Sequence, residues 1–151
     1  MKILFVCTGN TCRSPMAQTI FENILKKHNR DDITVSSAGT NAGDGMPMTP
    51  TAKEALKVCK QRVRRTPHSS TQFNQHMLGA YDHIVTMTNA LAGQIGKYPN
   101  VYSLDSKTGC GDILDPYMSP LDVYVNACRM LQVALNQLYK QIVPKKGRQT
   151  K

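Results

Sequence analysis

Residues 6–15 read VCTGNTCRSP and follow directly on the apolar run Ile3-Leu4-Phe5-Val6. That run is short and continuous, as in a buried strand. After Ser14 the apolar positions become Met16, Ala17, Ile20, Phe21, Ile24 and Leu25, which is helical spacing. Ser14 is a good N-cap and Pro15 is favoured at the first helical position. The local order is therefore strand, tight polar loop, helix, with Cys7 at the strand end.

The same alternation continues outward. His28 to Asp32 closes the first helix, and Ile33 to Ala38 is a second strand stopped by Gly39. Residues 39–50 hold three glycines and two prolines and read as a loop. A helix is expected from about Thr51 through Cys59, another from Phe73 to Leu78, and a third strand from His83 to Met87. Thr88 caps a helix through Leu91 and Ile95, Val101 to Leu104 is a fourth strand, and Ser106 to Pro120 is a long loop. A long amphipathic helix runs from Leu121 to Ile142. Strands alternating with helices imply an α/β fold: three layers, with a parallel sheet of about four strands flanked by helices. Ligands in such sheets bind beyond the carboxyl ends of the strands, where Cys7 falls. The expected organisation is one domain over residues 1–143 and a basic tail over 144–151.

The chain has 151 residues, 40% apolar and 19% charged, in the range of a globular domain. Its start, MKILFVC, is too short in apolar residues for a secretion signal, and no stretch is apolar enough to span a bilayer, so a cytoplasmic protein is expected. Five cysteines, an odd number without paired spacing, and four dispersed histidines argue for reduced thiols and against a metal site. No cofactor is expected. The formal charge of +9 favours anionic partners. Lys57, Lys60, Arg62, Arg64 and Arg65 form one basic cluster and the tail another. With no Trp, three Phe and no aromatics interleaved with the basic residues, a nucleic-acid partner is not expected.

The chemistry lies in the opening loop. If it curls over the helix N-terminus, its backbone N–H groups form a nest for a tetrahedral oxyanion, aided by the helix dipole. Thr8, Gly9, Asn10, Thr11, Cys12, Arg13 and Ser14 would make that cradle. Gly9 adopts positive φ without strain and Asn10 tolerates it. Arg13 supplies a planar fork for two phosphate oxygens. The same dipoles stabilise a thiolate, which makes Cys7 a nucleophile at neutral pH, and Ser14 could donate its hydroxyl to that sulfur. A cysteine after a strand is ordinarily a small buried hydrophobe, and Gly-Asn is ordinarily a turn. Neither reading explains an arginine six positions after the cysteine, followed by a helix start. Phosphoryl transfer also needs an acid for the leaving group, and the loop 106–120 offers Asp112 and Asp115 equally.

VCTGNTCRSPMAQ resembles the signature of the low-molecular-weight protein tyrosine phosphatase family, which the chain also resembles in length and element order. Ser37-Ala38-Gly39, Asp82-His-Ile-Val-Thr-Met-Thr88 and Asp115-Pro116-Tyr117 extend the resemblance. It implies a phosphorylated protein substrate and a two-step displacement, with Cys7 as nucleophile, Arg13 on the phosphoryl oxygens and Asp115 as acid and then base. It further implies Tyr117 at the mouth and His68, Asn10 and Ser37 as supports of the loop. Cys12 would form a disulfide with Cys7 that protects and switches the enzyme.

Thr11 departs from the pattern of the tyrosine-specific members, which carry Ile or Val there, and resembles the branch acting on phosphoarginine. Its hydroxyl could hold a water or accept a hydrogen bond from a guanidinium. The reading leans to phosphoarginine, with strict phosphotyrosine specificity as the alternative. Arsenate reduction on the same fold requires a relay of further cysteines, and Cys59, Cys110 and Cys128 are singly spaced. A non-enzymatic anion-binding module leaves the nucleophile, arginine and acid unexplained together.

Overall fold

The computed structural model describes residues 1–146. Its centre is a sheet of four parallel strands, β1 (Lys2–Cys7), β2 (Thr34–Gly39), β3 (His83–Thr86) and β4 (Val101–Ser103), in the order β2-β1-β3-β4. The helices are α1 (Arg13–Lys27), α2 (Pro50–Val58), α3 (Met77–Ala80), α4 (Asn89–Ile95), α5 (Leu104–Thr108) and α6 (Leu121–Ile142). The expected three-layer α/β architecture is the one observed. Among the described residues no helix is long and apolar enough to cross a membrane.

Strand alternation explains the two faces. Ile3, Phe5 and Cys7 point into a large core shared with α1, α2 and α6, whereas Leu4 and Val6 point the other way with Ala38 and Ile84. The second face is covered by Phe73, Met77, Leu78, Tyr81 and Ile95. Because β1 is central and covered on both faces, Ile3 to Val6 are all fully buried, and its sequence is continuously apolar. Phe5 meets Phe21 of α1 edge to face at 5.6 Å, which anchors the helix to the strand it follows.

Several boundaries differ from the sequence reading. The third and fourth strands end one residue earlier, at Thr86 and Ser103. Helix α1 begins at Arg13, with Cys12 in the cap position and no side chain capping it. Ser14 is thus inside the helix, because its hydroxyl is engaged by Cys7 and Asn10 instead of by the first helical N–H groups. Pro50, read as loop, opens α2, and Thr49 caps it by accepting from the Ala52 N–H. The helix expected from Phe73 to Leu78 is only the single turn Met77–Ala80, because Phe73 donates its N–H to the Gly39 carbonyl and Gln72 forms a bridge to β2. The loop expected from Ser106 begins later, since Ser103 caps the short helix α5 over a buried Leu104. The C-terminal helix has the expected bounds.

Past α6, Pro144 accepts a hydrogen bond from Arg30, and Lys146 donates to the Asn29 carbonyl at 2.8 Å. The rest of the expected basic tail, 147–151, lies outside the described residues.

Strands β1 and β2 end together, Cys7 opposite Gly39, and their pairing runs on into the loop: Thr40 donates to the Cys7 carbonyl and Asn41 to that of Thr8. A Cβ on Gly39 would collide with the Thr8 carbonyl oxygen and crowd Asn10. Glycine at the end of β2 is what lets the loop after β1 fold back onto the sheet.

Candidate active site

The loop 8–12 turns on Asn10, which is fully buried and has φ of +57°. The left-handed residue is therefore Asn10 and not Gly9, which is absent from the positive-φ positions. Asn10 tolerates the conformation because every one of its polar groups is bonded locally. Its backbone N–H donates to Cys7 Sγ at 3.2 Å, and Nδ2 donates to Ser14 Oγ at 2.7 Å. Oδ1 accepts from the Thr71 N–H at 2.9 Å, and the carbonyl accepts from His68 Nε2 at 2.6 Å. Burial holds His68 below the usual histidine range, so it stands as the neutral ring with its Nε2 proton directed at Asn10.

Cys7 is 2% exposed, at the base of the loop. Ser14 Oγ lies 3.0 Å from its sulfur and 3.4 Å from the Ala38 carbonyl. Asn10 donates to the Ser14 oxygen, so the one Ser14 proton is shared between the Ala38 carbonyl and the sulfur. The Asn10 N–H thus donates to Cys7 Sγ, and the Ser14 hydroxyl stands within hydrogen-bond distance of the same sulfur. The uncapped start of α1 adds the positive end of a 15-residue helix to the same place.

Arg13 is 4% exposed, and its guanidinium is fixed from two sides. Nη1 donates to the Ile113 carbonyl at 3.0 Å, and Nη2 donates to Thr8 Oγ1 at 3.3 Å. Nε is buried with no hydrogen-bond partner among the described residues. A buried donor left without a partner costs on the order of 1–3 kcal/mol, so it marks a place meant for an acceptor.

Asp115 stands over this arginine, Oδ2 at 3.7 Å from Nη2, with half its side chain exposed. Its Oδ1 accepts from the Tyr117 N–H at 3.1 Å, an aspartate turn that fixes the carboxylate across the mouth. Asp112, equal to Asp115 on composition alone, accepts from the Asn89 N–H at the start of α4 and does not line the cavity. The cavity is about 450 Å³, lined by Cys7 to Arg13, the segment Met46 to Pro50, Asp115 and Tyr117. A separate concavity of about 530 Å³, around Leu25, Arg30 and Thr34 at the amino ends of the strands, holds no cysteine or histidine.

Two expected residues and several unexpected ones complete the picture. Thr11 lines the cavity, and its carbonyl accepts from the Thr49 N–H. Ser37 does not reach the loop: it donates to Gln18 Oε1 at 2.8 Å, one turn into α1, because the alternation of β2 aims it at the helix. Thr71, Thr49 and Tyr124 were not legible as site residues. Thr49 Oγ1 and Tyr124 OH approach the buried Cys12 sulfur at 3.5 and 3.6 Å, and burial pushes the Tyr124 phenol up to about 12. Only the Ser/Thr-Pro pattern of a helix cap, Thr49-Pro50, was a usable signal among them.

Among the described residues no three His, Cys, Asp or Glu side chains gather as metal ligands. Cys59 and Cys128, far apart in sequence, are neighbours on the α2–α6 contact. Cys59 reaches the Val125 carbonyl and accepts from Gln132 on its own, while burial pushes the Cys128 thiol up. Both lie away from the cavity.

The model of the low molecular weight phosphotyrosine protein phosphatases matches residues 2–149. The chain is 36% identical to a protein-arginine-phosphatase of Bacillus subtilis, over 94% of this chain and 97% of that protein. It is 37% identical to the low molecular weight protein-tyrosine-phosphatase PtpB of Staphylococcus haemolyticus, over 91% and 97%. A structure of the arginine phosphatase YwlE, in a cysteine-to-serine form with the active-site serine phosphorylated, superposes with a TM-score of 0.84 at 35% identity, covering 97% of this chain and 98% of that one. The chain belongs to the low-molecular-weight protein tyrosine phosphatase family. It is a hydrolase acting on phosphorylated proteins.

Asn10 offers a test of how the loop is held. Asn10→Gly keeps the backbone conformation and removes two side-chain bonds, for an expected loss of roughly 1–3 kcal/mol. Asn10→Ala adds the left-handed penalty of about 1–2 kcal/mol. Urea unfolding should rank wild type above the glycine variant and the glycine variant above the alanine one; equal midpoints for the two variants would show that φ is not the constraint.

Proposed function

We propose that Cys7 is the nucleophile of a two-step phosphoryl transfer, that Arg13 and the loop hold the phosphoryl oxygens, and that Asp115 is the acid and base. The observation that carries this reading is Arg13, whose buried Nε has no partner among the described residues, lining one cavity together with Cys7 and Asp115. Cys7 Sγ attacks phosphorus opposite the leaving atom. The S–P bond forms as the bond from phosphorus to the substrate oxygen or nitrogen breaks, and Asp115 transfers its proton to that atom. Asp115, now ionised, takes a proton from the water that attacks the cysteinyl phosphate, and Cys7 departs as thiolate. Negative charge gathers on the equatorial oxygens, against Arg13 and the α1 N-terminus.

In the substrate reading, phosphoarginine is preferred and phosphotyrosine is the second candidate. Relatives named for either substrate match the chain about equally well, so the preference rests on Thr11, a cavity-lining residue that carries a hydroxyl where Ile or Val would be purely apolar. Tyr117, 60% exposed beside Asp115, forms the mouth. We place the protein in the cytoplasm and assign it no cofactor and no nucleic-acid partner.

Redox control is part of the same proposal. Peroxide oxidises the Cys7 thiolate to a sulfenic acid and is itself reduced to water; the Cys12 thiol then displaces a second water to give the disulfide. Support comes from two free cysteines lining one cavity, with Cys12 held by Thr49 and Tyr124.

Three measurements check these roles. Cys7→Ser should release no phosphate, and Asp115→Asn should lose about 10²–10⁴-fold in kcat on phosphopeptides but less on p-nitrophenyl phosphate, whose leaving group is already a weak base. Full activity in Cys7→Ser overturns the mechanism. Hydrolysis of matched phosphoarginine and phosphotyrosine peptides should favour the former, and Thr11→Ile should shift the ratio toward phosphotyrosine; an unmoved ratio refutes the role of the hydroxyl. Mild peroxide should inactivate the wild type reversibly by added thiol and Cys12→Ser irreversibly, whereas identical recovery in both removes Cys12 from redox control.

A further inference from the structure

A second cavity, of about 190 Å³, lies beside the catalytic one and is lined by Lys53, Arg64, Arg65 and His68 over a floor that includes Pro15 and Met48. No carboxylate lines it. Its cations come from two separate pieces of chain: Lys53 from the first turns of α2, Arg64 and Arg65 from the segment that leads to His68. Arg64 is partly spoken for, with Nε 3.2 Å from Glu22. Lys53 and Arg65 form no ion pair among the described residues. Of the basic cluster legible in the sequence, Lys57, Lys60 and Arg62 are exposed and do not line the cavity, while Lys53, outside that cluster, does.

The position ties this cavity to the catalytic one. Met48 lines both, so the segment Met46–Thr49 is the wall between them. His68, on the second cavity, hydrogen-bonds the Asn10 carbonyl at the back of the phosphate loop. Lys53 follows by three residues Pro50, which lines the catalytic cavity. The volume accommodates a carboxylate or a tetrahedral oxyanion with two or three waters, at about 30 Å³ for each water. An extended peptide advances roughly 3.3 Å per residue, and the two cavities share Met48, so a side chain a few positions from the phosphorylated residue is the part of a substrate that meets the second one.

We propose that this cavity is a second anion subsite for the phosphorylated protein substrate, in which Lys53 and Arg65 hold an acidic or phosphorylated side chain close in sequence to the residue being dephosphorylated. The inference rests on the phosphatase reading of the Cys7 cavity and adds to it a selection by sequence context. Like-signed cations gathered on one cavity repel one another and are relieved by an anion; an acidic flank supplies one, and a neutral flank does not. Partly exposed pairs of this kind are worth on the order of two- to three-fold each, so two of them give roughly four- to nine-fold in substrate capture, reduced by salt.

The test uses the full chain and peptides in matched sets, phosphorylated on arginine in one set and on tyrosine in the other. Each set has a flanking position occupied by Glu, phosphoserine or Gln, and p-nitrophenyl phosphate is the reference substrate. The expected result is a roughly four- to nine-fold higher kcat/KM for the Glu or phosphoserine flank than for Gln, carried by KM and shrinking as salt is raised. In the Lys53→Gln/Arg65→Gln double variant the ratio of acidic to neutral flank should fall to about one; being a ratio within one variant, it cancels any general damage. A phosphoserine effect without a Glu effect supports the subsite and narrows it to phosphoryl groups. Hydrolysis of p-nitrophenyl phosphate with no flank preference, or a preference that survives the double variant, overturns the subsite alone. No hydrolysis of any substrate overturns the phosphatase reading and the subsite with it.

Discussion

Asn10 in the left-handed conformation is the constraint on which the site depends. The loop between the buried strand and the helix turns within five residues through a positive φ, and a non-glycine residue holds that conformation where bonds to its surroundings repay the strain. Asn10 has four such bonds, to Cys7, Ser14, Thr71 and His68. They tie the loop to the strand before it, the helix after it and a segment some sixty positions on. The sulfur, the helix start and the neutral imidazole are positioned by one residue. Gly39 completes the arrangement from below, since any side chain there would push the loop off the sheet.

A second consequence is electrostatic. An N-terminal cap is the common way to quiet a helix start, and α1 has none. Ser14, the residue suited to capping, turns its hydroxyl to Cys7 and Asn10. The helix therefore retains its capacity to hold an anion beside the Cys7 sulfur. Arg13 follows the same logic, with its terminal nitrogens anchored to Ile113 and Thr8 and its Nε left for a ligand. One buried donor, Arg13 Nε, is thus left without a partner among the described residues, next to the uncapped start of α1.

Much of this was legible in the sequence because it is local. Apolar runs of four residues with helical spacing between them located the sheet and its order of elements, and the spacing from Cys7 to Arg13 is meaningful only across a single loop. Misreadings arose where a distant partner intervened. Phe73, Met77 and Leu78 have helical spacing, but Phe73 and Gln72 are held by the end of β2, which leaves one turn for α3. Ser37 looked like a support for the loop, yet strand alternation turns it to Gln18. Asp112 and Asp115 have the same chemistry three residues apart; the family resemblance pointed to Asp115, and in the structure Asp112 meets the start of α4 while Asp115 meets Arg13.

The sequence by itself determined the layered α/β fold, the strand–loop–helix unit and the chemical identity of Cys7, Arg13 and Ser14, since these follow from periodicity and short-range geometry. Tertiary structure decided which carboxylate faces the arginine, which residue takes the strained turn, that Thr49 and Tyr124 hold Cys12, and that Lys53 joins Arg65 on a shared cavity. Each of those is a contact between segments far apart along the chain. Nothing in a local pattern encodes such contacts, because they exist only once the sheet has set the distances between its loops.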